Sequence, residues 1–166
     1  MPVNFWIMLK SIKTKTARAS GGTFAIIASR YNARYVDAMV RAAQGELKRA
    51  GAKKIPIVRV PGAYEIPVVA ARLARTSKFS AIICLGVILR GETVHAAHIG
   101  EAVSRALMEI QLVHEIPIIH EVLLLENEGQ ARVRCLNPKH NRGTEAAQTA
   151  LVMARVMKSL GSESAF

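Results

Sequence analysis

The segment SAIICLGVIL, residues 80–89, is followed directly by RGETVH, residues 90–95. The first segment is apolar almost throughout, which is typical of a strand that is covered on both faces within a parallel sheet. The charged residues and the glycine that come next end the strand, and apolar residues at helical spacing follow them. We therefore predict a buried strand whose carboxyl end leads through a polar turn into a long helix.

Strands and helices alternate along the rest of the chain. The pattern predicts strands at 23–29, 54–61, 80–89 and 116–125 and helices at 32–50, 64–75, 93–114 and 145–160. Residues 126–135 are ambiguous between a loop and a short helix. The order predicts an α/β fold, a three-layer αβα sandwich in which a four-stranded parallel sheet has helices on both faces. In such sheets, ligands bind beyond the carboxyl ends of the strands.

Composition sets limits on the class of protein. The chain has 166 residues, of which 51% are hydrophobic, and this suffices for one domain with its own core. Its two cysteines do not indicate a disulfide framework, and this fits a reducing cytoplasm. Cys84 lies in an apolar strand, so we expect a buried and unreactive thiol. No apolar run is long enough to span a membrane.

The net charge of +11 is compatible with binding to nucleic acid, a membrane surface or an anionic substrate. The basic residues are scattered, and the sequence has neither zinc-finger spacing nor an aromatic and basic RNA-binding motif. We therefore expect a solvated basic surface with one anion site, and no nucleic-acid or membrane partner.

The amino-terminal segment differs in composition from the rest. Residues 1–20 contain four basic residues and no acidic one, and the apolar stretch FWIML is too short for a signal peptide. We expect a basic arm that is flexible or pairs with a neighbouring subunit, and a transit peptide is the alternative. Residues 21–166 then form a single domain.

Polar residues follow three of the predicted strands, at 30–32, 62–65 and 90–95, so the fold brings them to one edge of the sheet. Glu92 and Thr93 precede a helix whose free N–H groups suit a phosphate, although a plain turn would have the same sequence.

His95 is predicted in the first turn of that helix, where a neutral imidazole suits acid–base catalysis. The alternative is a purely structural role for His95. A metal site with His98 is disfavoured, because no third ligand follows at suitable spacing.

The segment VPGAYEIP, residues 60–67, has prolines on both sides of a glycine turn. A stiff backbone with the Glu65 carboxylate would form a hydrogen-bonding edge for a polyol or a heterocycle, or it is only the capped start of a helix. Basic residues recur within 132–142, and they indicate either a solvated face or a phosphate-binding arginine.

Taken together, VPGAYEIP (60–67), LGVILRGETVH (85–95) and HNRGTEAA (140–147) resemble the lumazine synthase family of riboflavin biosynthesis. The resemblance implies a flavodoxin-like fold, a homopentamer or an icosahedral shell of pentamers, and active sites between subunits. It implies a transferase that condenses 5-amino-6-(D-ribitylamino)uracil with 3,4-dihydroxy-2-butanone 4-phosphate to 6,7-dimethyl-8-ribityllumazine, phosphate and water. No metal and no organic cofactor is implied, and riboflavin synthase is the candidate protein partner.

The resemblance also assigns roles to individual residues. His95 would transfer protons, and Glu92, Thr93, Arg134 and Arg142 would bind the phosphate. The uracil substrate would be bound by Tyr31, Ala63, Tyr64, Glu65, Val87, Ile88, Leu89 and His120, with His120 contributed by the neighbouring subunit.

Two departures from the family pattern keep other interpretations open. Ala96 and Ala97 follow His95 where many members have an aromatic residue and an acid. The late loop NPKHNRG, residues 137–143, is less rich in glycine than that of many shell-forming members. A non-catalytic flavin- or lumazine-binding protein and a shell-forming protein of the same fold are therefore the alternatives.

Overall fold

The most buried strands lie in the middle of the sheet. A computed structural model describes residue 18 and residues 22–91 and 94–161. Four parallel strands have the order β2-β1-β3-β4, with the bounds β1 Phe24–Ser29, β2 Ile57–Val60, β3 Ala81–Leu89 and β4 Ile118–Leu125. All of β1 and the first seven residues of β3 are buried, whereas the outer strands are partly exposed. The predicted fold class is confirmed.

Helices cover both faces of this sheet. Those in the described part of the chain are α1 Ala33–Arg49, α2 Ile66–Ala74, α3 His95–His114, α4 Glu128–Ala131 and α5 Arg142–Leu160. Helices α1 and α5 pack on one face, and α2 and α3 on the other. The chain moves from β1 to β2 on one side of β1, and it then returns past β1 to β3 and β4 on the other side. Because these crossovers have the same hand, α1 lies on one face of the sheet and α2 and α3 lie on the opposite face. The connections diverge between the carboxyl ends of β1 and β3, the position where open sheets bind ligands.

Prolines and a cap explain where the observed boundaries differ from the predicted ones. Strand β2 is shorter than predicted and lies between Pro56 and Pro61, which cannot donate to the ladder. Helix α5 begins three residues before the predicted start because Asn141 caps it, accepting from the N–H of Gly143. The ambiguous segment contains α4, which continues into a single π-helical turn, Arg132–Leu136.

Both cysteines are buried free thiols. Burial raises the pKa of Cys84 far above its usual range, and burial, assisted by nearby Glu121, raises the pKa of Cys135 to about 11. Both thiols are therefore protonated at neutral pH and unreactive, as predicted for Cys84. Within residues 22–91 and 94–161, no helix has the length and apolar character needed to cross a membrane.

Candidate active site

A cleft of about 690 Å³ opens beyond the carboxyl ends of β1 and β3. The loops that follow β1 and β2, the last residues of β3 and the first turns of α3 form its walls. Its lining residues are Tyr31, Asn32, Gly62, Ala63, Tyr64, Glu65, Val87, Ile88, Leu89, His95, His98, Ile99 and Ala102. The structure therefore brings His95 together with all the predicted uracil-binding residues except His120.

Backbone hydrogen bonds hold the loops after β1 and β2 against each other. The N–H groups of Arg30 and Tyr31 both donate to the carbonyl oxygen of Pro61, each at 3.1 Å. Asn32 has a left-handed backbone (φ 56°), which asparagine tolerates better than most residues. Its side-chain amide donates to the carbonyl oxygen of Val87 at 2.8 Å and so ties this loop to β3. These hydrogen bonds join the three segments that line this side of the cleft.

Gly62 and Glu65 form the capped start of a short helical turn, which is the structural alternative that the sequence left open for this segment. The N–H of Gly62 donates to Glu65 Oε2 at 2.8 Å, so one carboxylate oxygen stabilises the start of a short 3-10 turn, Ala63–Glu65. A Cβ on Gly62 would lie 3.0 Å from that oxygen and 3.0 Å from Cδ2 of Tyr31. A larger residue here would push the Glu65 carboxylate or the Tyr31 ring by a few tenths of an ångström, so this glycine lets both side chains keep their positions in the cleft.

Two tyrosine rings stand at the rim of the cleft and face solvent. Tyr31 is 71% exposed and Tyr64 is 64% exposed, although both are large and partly apolar. An exposed aromatic face beside a cleft is suited to stacking against a flat heterocycle, which would remove the ring from water.

The first turns of α3 supply the opposite wall. His95 is the first residue of the helix, and His98, Ile99 and Ala102 follow it at spacings of three and four, so they lie on one face. The sequence analysis considered His98 only as a metal ligand and did not select Asn32, Ile99 or Ala102. Helical spacing from His95 was the signal that could have found the α3 residues. Glu92 and Thr93 lie outside the described residues, so their predicted phosphate contacts stay predictions.

His120 does not line this cleft. It lies on edge strand β4, where its Nδ1 accepts a hydrogen bond from the N–H of Val122 at 3.2 Å. Its Nε2 therefore carries the proton and donates to the hydroxyl of Ser104 at 2.7 Å. Partial burial against α3 lowers the pKa of His120, which favours the neutral imidazole.

Arg134 and Arg142 also lie outside the cleft, in a second group of charges with Glu121 and Glu145. Arg142 donates to Glu145 through Nη1, and its Nε lies 3.7 Å from Oε2 of Glu121. Burial raises the pKa of Glu121 to about 7, although the positive charges of Arg142 and Arg134 act in the opposite direction. One chain thus carries the predicted site residues as two separate groups.

Asn141 holds the loop that carries Arg142. Its amide donates to the carbonyl oxygen of Cys135, and its Oδ1 accepts from the N–H of Gly143 at 2.8 Å, both in buried surroundings. We expect Asn141→Ala to lower the free energy of unfolding by about 2 kcal/mol, because a helix cap is lost and a buried carbonyl loses its donor.

Urea or thermal unfolding measures this difference. Asn137→Ala is the matched control, since its side chain accepts one exposed hydrogen bond from Lys139 and its loss should change stability by less than about 0.5 kcal/mol. Equal stability of the two variants would contradict the role of Asn141.

The fold and the cleft define an α/β protein with a ligand site at the topological switch point of a parallel sheet. Comparison with known proteins makes this specific, because the model of the 6,7-dimethyl-8-ribityllumazine synthase family matches residues 21–158. The chain belongs to this family.

Relatives that carry the name 6,7-dimethyl-8-ribityllumazine synthase align with most of the chain. The protein of Buchnera aphidicola subsp. Baizongia pistaciae (strain Bp) is 40% identical over 157 residues, which cover 93% of this chain and 96% of the relative. The protein of Stenotrophomonas maltophilia (strain R551-3) is 40% identical over 82% of this chain and 90% of the relative. The protein of Xanthomonas euvesicatoria pv. vesicatoria (strain 85-10) is 39% identical over 86% of this chain and 94% of the relative.

Proposed function

We propose that the cleft binds a ribityl-bearing pyrimidine and that the chain condenses it with a phosphorylated four-carbon ketone. Membership of the family makes the chain an enzyme of riboflavin biosynthesis, a transferase that forms 6,7-dimethyl-8-ribityllumazine. The observation that carries the assignment of the site is the convergence of Tyr31, Glu65 and His95 on one cleft of suitable size. The substrates are then 5-amino-6-(D-ribitylamino)uracil and 3,4-dihydroxy-2-butanone 4-phosphate.

In the proposed mechanism, the ring stacks on Tyr31, and the Ala63–Glu65 turn offers backbone groups and a carboxylate to the ring and the ribityl hydroxyls. The amine attacks the ketone, and water leaves to give an imine. Inorganic phosphate then departs, and the ribitylamine closes the second ring with loss of water. His95 lies at the cleft wall, where it moves protons between these steps. Much of the rate comes from holding the two reactants together.

Arg134 and Arg142, two of the four predicted phosphate-binding residues, are assigned to a second subunit, whereas Glu92 and Thr93 stay with the chain that supplies His95. Within one chain, His120, Arg134 and Arg142 lie outside the cleft that holds His95. A homopentamer, or a shell of pentamers, would place these residues of one subunit beside the cleft of its neighbour. The proposal therefore includes a homo-oligomer with shared active sites in the cytoplasm, with a basic arm at residues 1–20 and one domain at 21–166. Riboflavin synthase is the candidate protein partner.

The direct test incubates the purified protein with both substrates and records the fluorescence of the lumazine product, with the native mass measured in parallel. Product formation by an assembly of five subunits or a multiple of five supports the proposal. An assembly that binds the pyrimidine and forms no product would make the chain a binding protein. A monomer would exclude the shared site.

His95→Ala should slow turnover by a factor of about ten to a few tens. The loss is moderate because the variant still holds both substrates in position and only the proton transfer is impaired. Steady-state kinetics with both substrates measures it.

His114→Ala is the matched control, because His114 ends the same helix roughly 30 Å from His95 and should leave turnover unchanged. Complete loss of activity in a folded His95→Ala assembly would contradict the proposed division between proton transfer and positioning.

A further inference from the structure

Edge strand β4 carries a carboxylate among the proposed phosphate-binding arginines. The side chain of Glu121 is only 16% exposed and faces α5 and the π-helical turn, on the same side of the sheet as the buried Ile119. Its Oε2 lies 3.7 Å from Nε of Arg142, which is too long for a hydrogen bond. That Nε is buried and has no hydrogen-bond partner among the described residues. The pair is therefore held by charge alone.

Among the described residues, the titratable groups that act on Glu121 come from two neighbouring elements. Helix α5 contributes Arg142 and Glu145, and the π-helical turn contributes Arg134 and the protonated thiol of Cys135. Strand β3 contributes Leu85, the register partner of Glu121, which does not titrate. The neighbouring His120 hydrogen-bonds to Ser104 of α3, which packs on the opposite face of the sheet. Two cations and two carboxylates thus share one partly buried space.

An anion that binds to these arginines enters a site that already contains negative charge. The Glu121 carboxylate and a phosphate dianion would compete for the same two cations, and they would repel each other within this partly buried space. A proton on Glu121 removes both the competition and the repulsion. The anion therefore favours the protonated form of Glu121, and the protonated form binds the anion more tightly.

We propose that Glu121 is a positioning residue that couples anion binding at Arg134 and Arg142 to the uptake of one proton. When it is ionised, Glu121 attracts the Nε side of the Arg142 guanidinium toward β4, and when it is protonated, that side is left to the anion while Nη1 still donates to Glu145. This inference rests on the proposed function, which assigns the two arginines to the substrate phosphate. Burial already raises the pKa of Glu121 to about 7, so the coupling operates close to neutral pH.

The sign of the pH dependence follows from this coupling. Anion binding raises the pKa of Glu121 further, so the complex holds more protons than the unliganded protein. Affinity for the anion must then fall as the pH rises through about 7. For a coupling of one pKa unit, the affinity at about pH 8 is about fivefold weaker than at about pH 6.

Calorimetric titration of the intact assembly with sodium sulfate tests the coupling, because sulfate keeps two negative charges over this pH range. Measurement in two buffers of different ionisation enthalpy counts the protons that are taken up. We expect fractional proton uptake at neutral pH and weaker binding as the pH rises. Absence of sulfate binding at about pH 6, or binding without proton uptake, would overturn the inference, and neither outcome depends on a variant that must fold.

Glu121→Gln replaces the carboxyl with a neutral group of the same size. It should bind sulfate at about pH 8 as tightly as the wild type does at about pH 6, with no dependence on pH between them. Glu145→Gln is the matched control, since it also removes a carboxylate from Arg142 but leaves Glu121 in place, so it should keep the pH dependence. The same pH profile in Glu121→Gln and the wild type would refute the role of Glu121.

Kinetics separates this inference from the proposed function. In the wild type, the KM for the phosphate-bearing substrate should rise with pH more steeply than in Glu121→Gln, while the KM for the pyrimidine changes equally in both. If product forms and the two proteins have the same KM profile, the coupling is wrong and the proposed function stands. If no product forms but sulfate binding depends on Glu121 as described, the proposed function is wrong and the coupling stands.

Discussion

Replacing Arg134 with alanine should raise the apparent KM for the phosphate-bearing substrate on the order of a hundredfold, because charge-assisted hydrogen bonds to a phosphate are each worth roughly 1.5–3 kcal/mol. The KM for the pyrimidine should stay the same, since the pyrimidine-binding residues lie in the cleft and Arg134 does not line it. Steady-state kinetics with each substrate varied in turn measures the two constants separately.

Arg132→Ala is the matched control for the loss of one positive charge. Arg132 lies in the same π-helical turn and pairs with Glu128 at 3.2 Å on the exposed surface, so its removal should leave both KM values unchanged.

Mixed assemblies of Arg134→Ala and His95→Ala chains test the shared site, because some of their sites would combine the intact halves of both chains. An unchanged KM in Arg134→Ala would remove this residue from the phosphate site.

Replacing Gly143 with alanine should lower the free energy of unfolding by about 3 kcal/mol or more. A Cβ at this position would lie 2.0 Å from the carbonyl oxygen of Met39, and the atom that must yield belongs to the backbone of α1. Helix α5 would have to move away from α1, and the Arg142 that precedes Gly143 would move with it. Thermal unfolding should show a fall in Tm of roughly 10 °C.

Gly45→Ala provides the opposite control on the partner helix. Gly45 lies within α1, and in the described part of the chain no atom of another element lies within 4 Å of the position that its Cβ would take. Alanine is favoured over glycine within a helix by roughly 0.5–1 kcal/mol, so this variant should be slightly more stable than the wild type. Equal stability of Gly143→Ala and the wild type would mean that α1 and α5 are not packed as closely as the structure shows.

Local sequence patterns were sufficient to predict the sheet and the edge at which the cleft opens, whereas the family resemblance supplied several of the individual cleft residues. The apolar run at 80–89 indicated a strand covered on both faces, and β3 is the strand that lies between β1 and β4. Polar residues after successive parallel strands must meet at one edge, and Tyr31, Glu65 and His95 do meet there. Boundaries were predicted less well. Helix α5 starts with a capping contact of Asn141 rather than with its first apolar residue, so the apolar pattern alone placed its start too late.

Other features of the site depend on contacts between residues distant in the chain. The sequence analysis placed Asn32 in the polar cluster after β1 but did not predict that its amide joins this loop to the end of β3. It did not consider Glu121, because a single acid in an apolar strand has no local pattern. The neighbours of that acid, Arg134 and Arg142, come from later elements.

The sequence by itself determined the alternation of strands and helices, the central position of residues 80–89 and the edge of the sheet at which the polar loops gather. The alternation of elements follows from hydrophobic periodicity, which is a property of a few neighbouring residues. The common edge follows from the parallel direction of the strands, because all their carboxyl ends lie on the same side of the sheet. Only the tertiary structure decided that Glu121 lies among the arginines, because burial and charge at one atom depend on every element that packs around it.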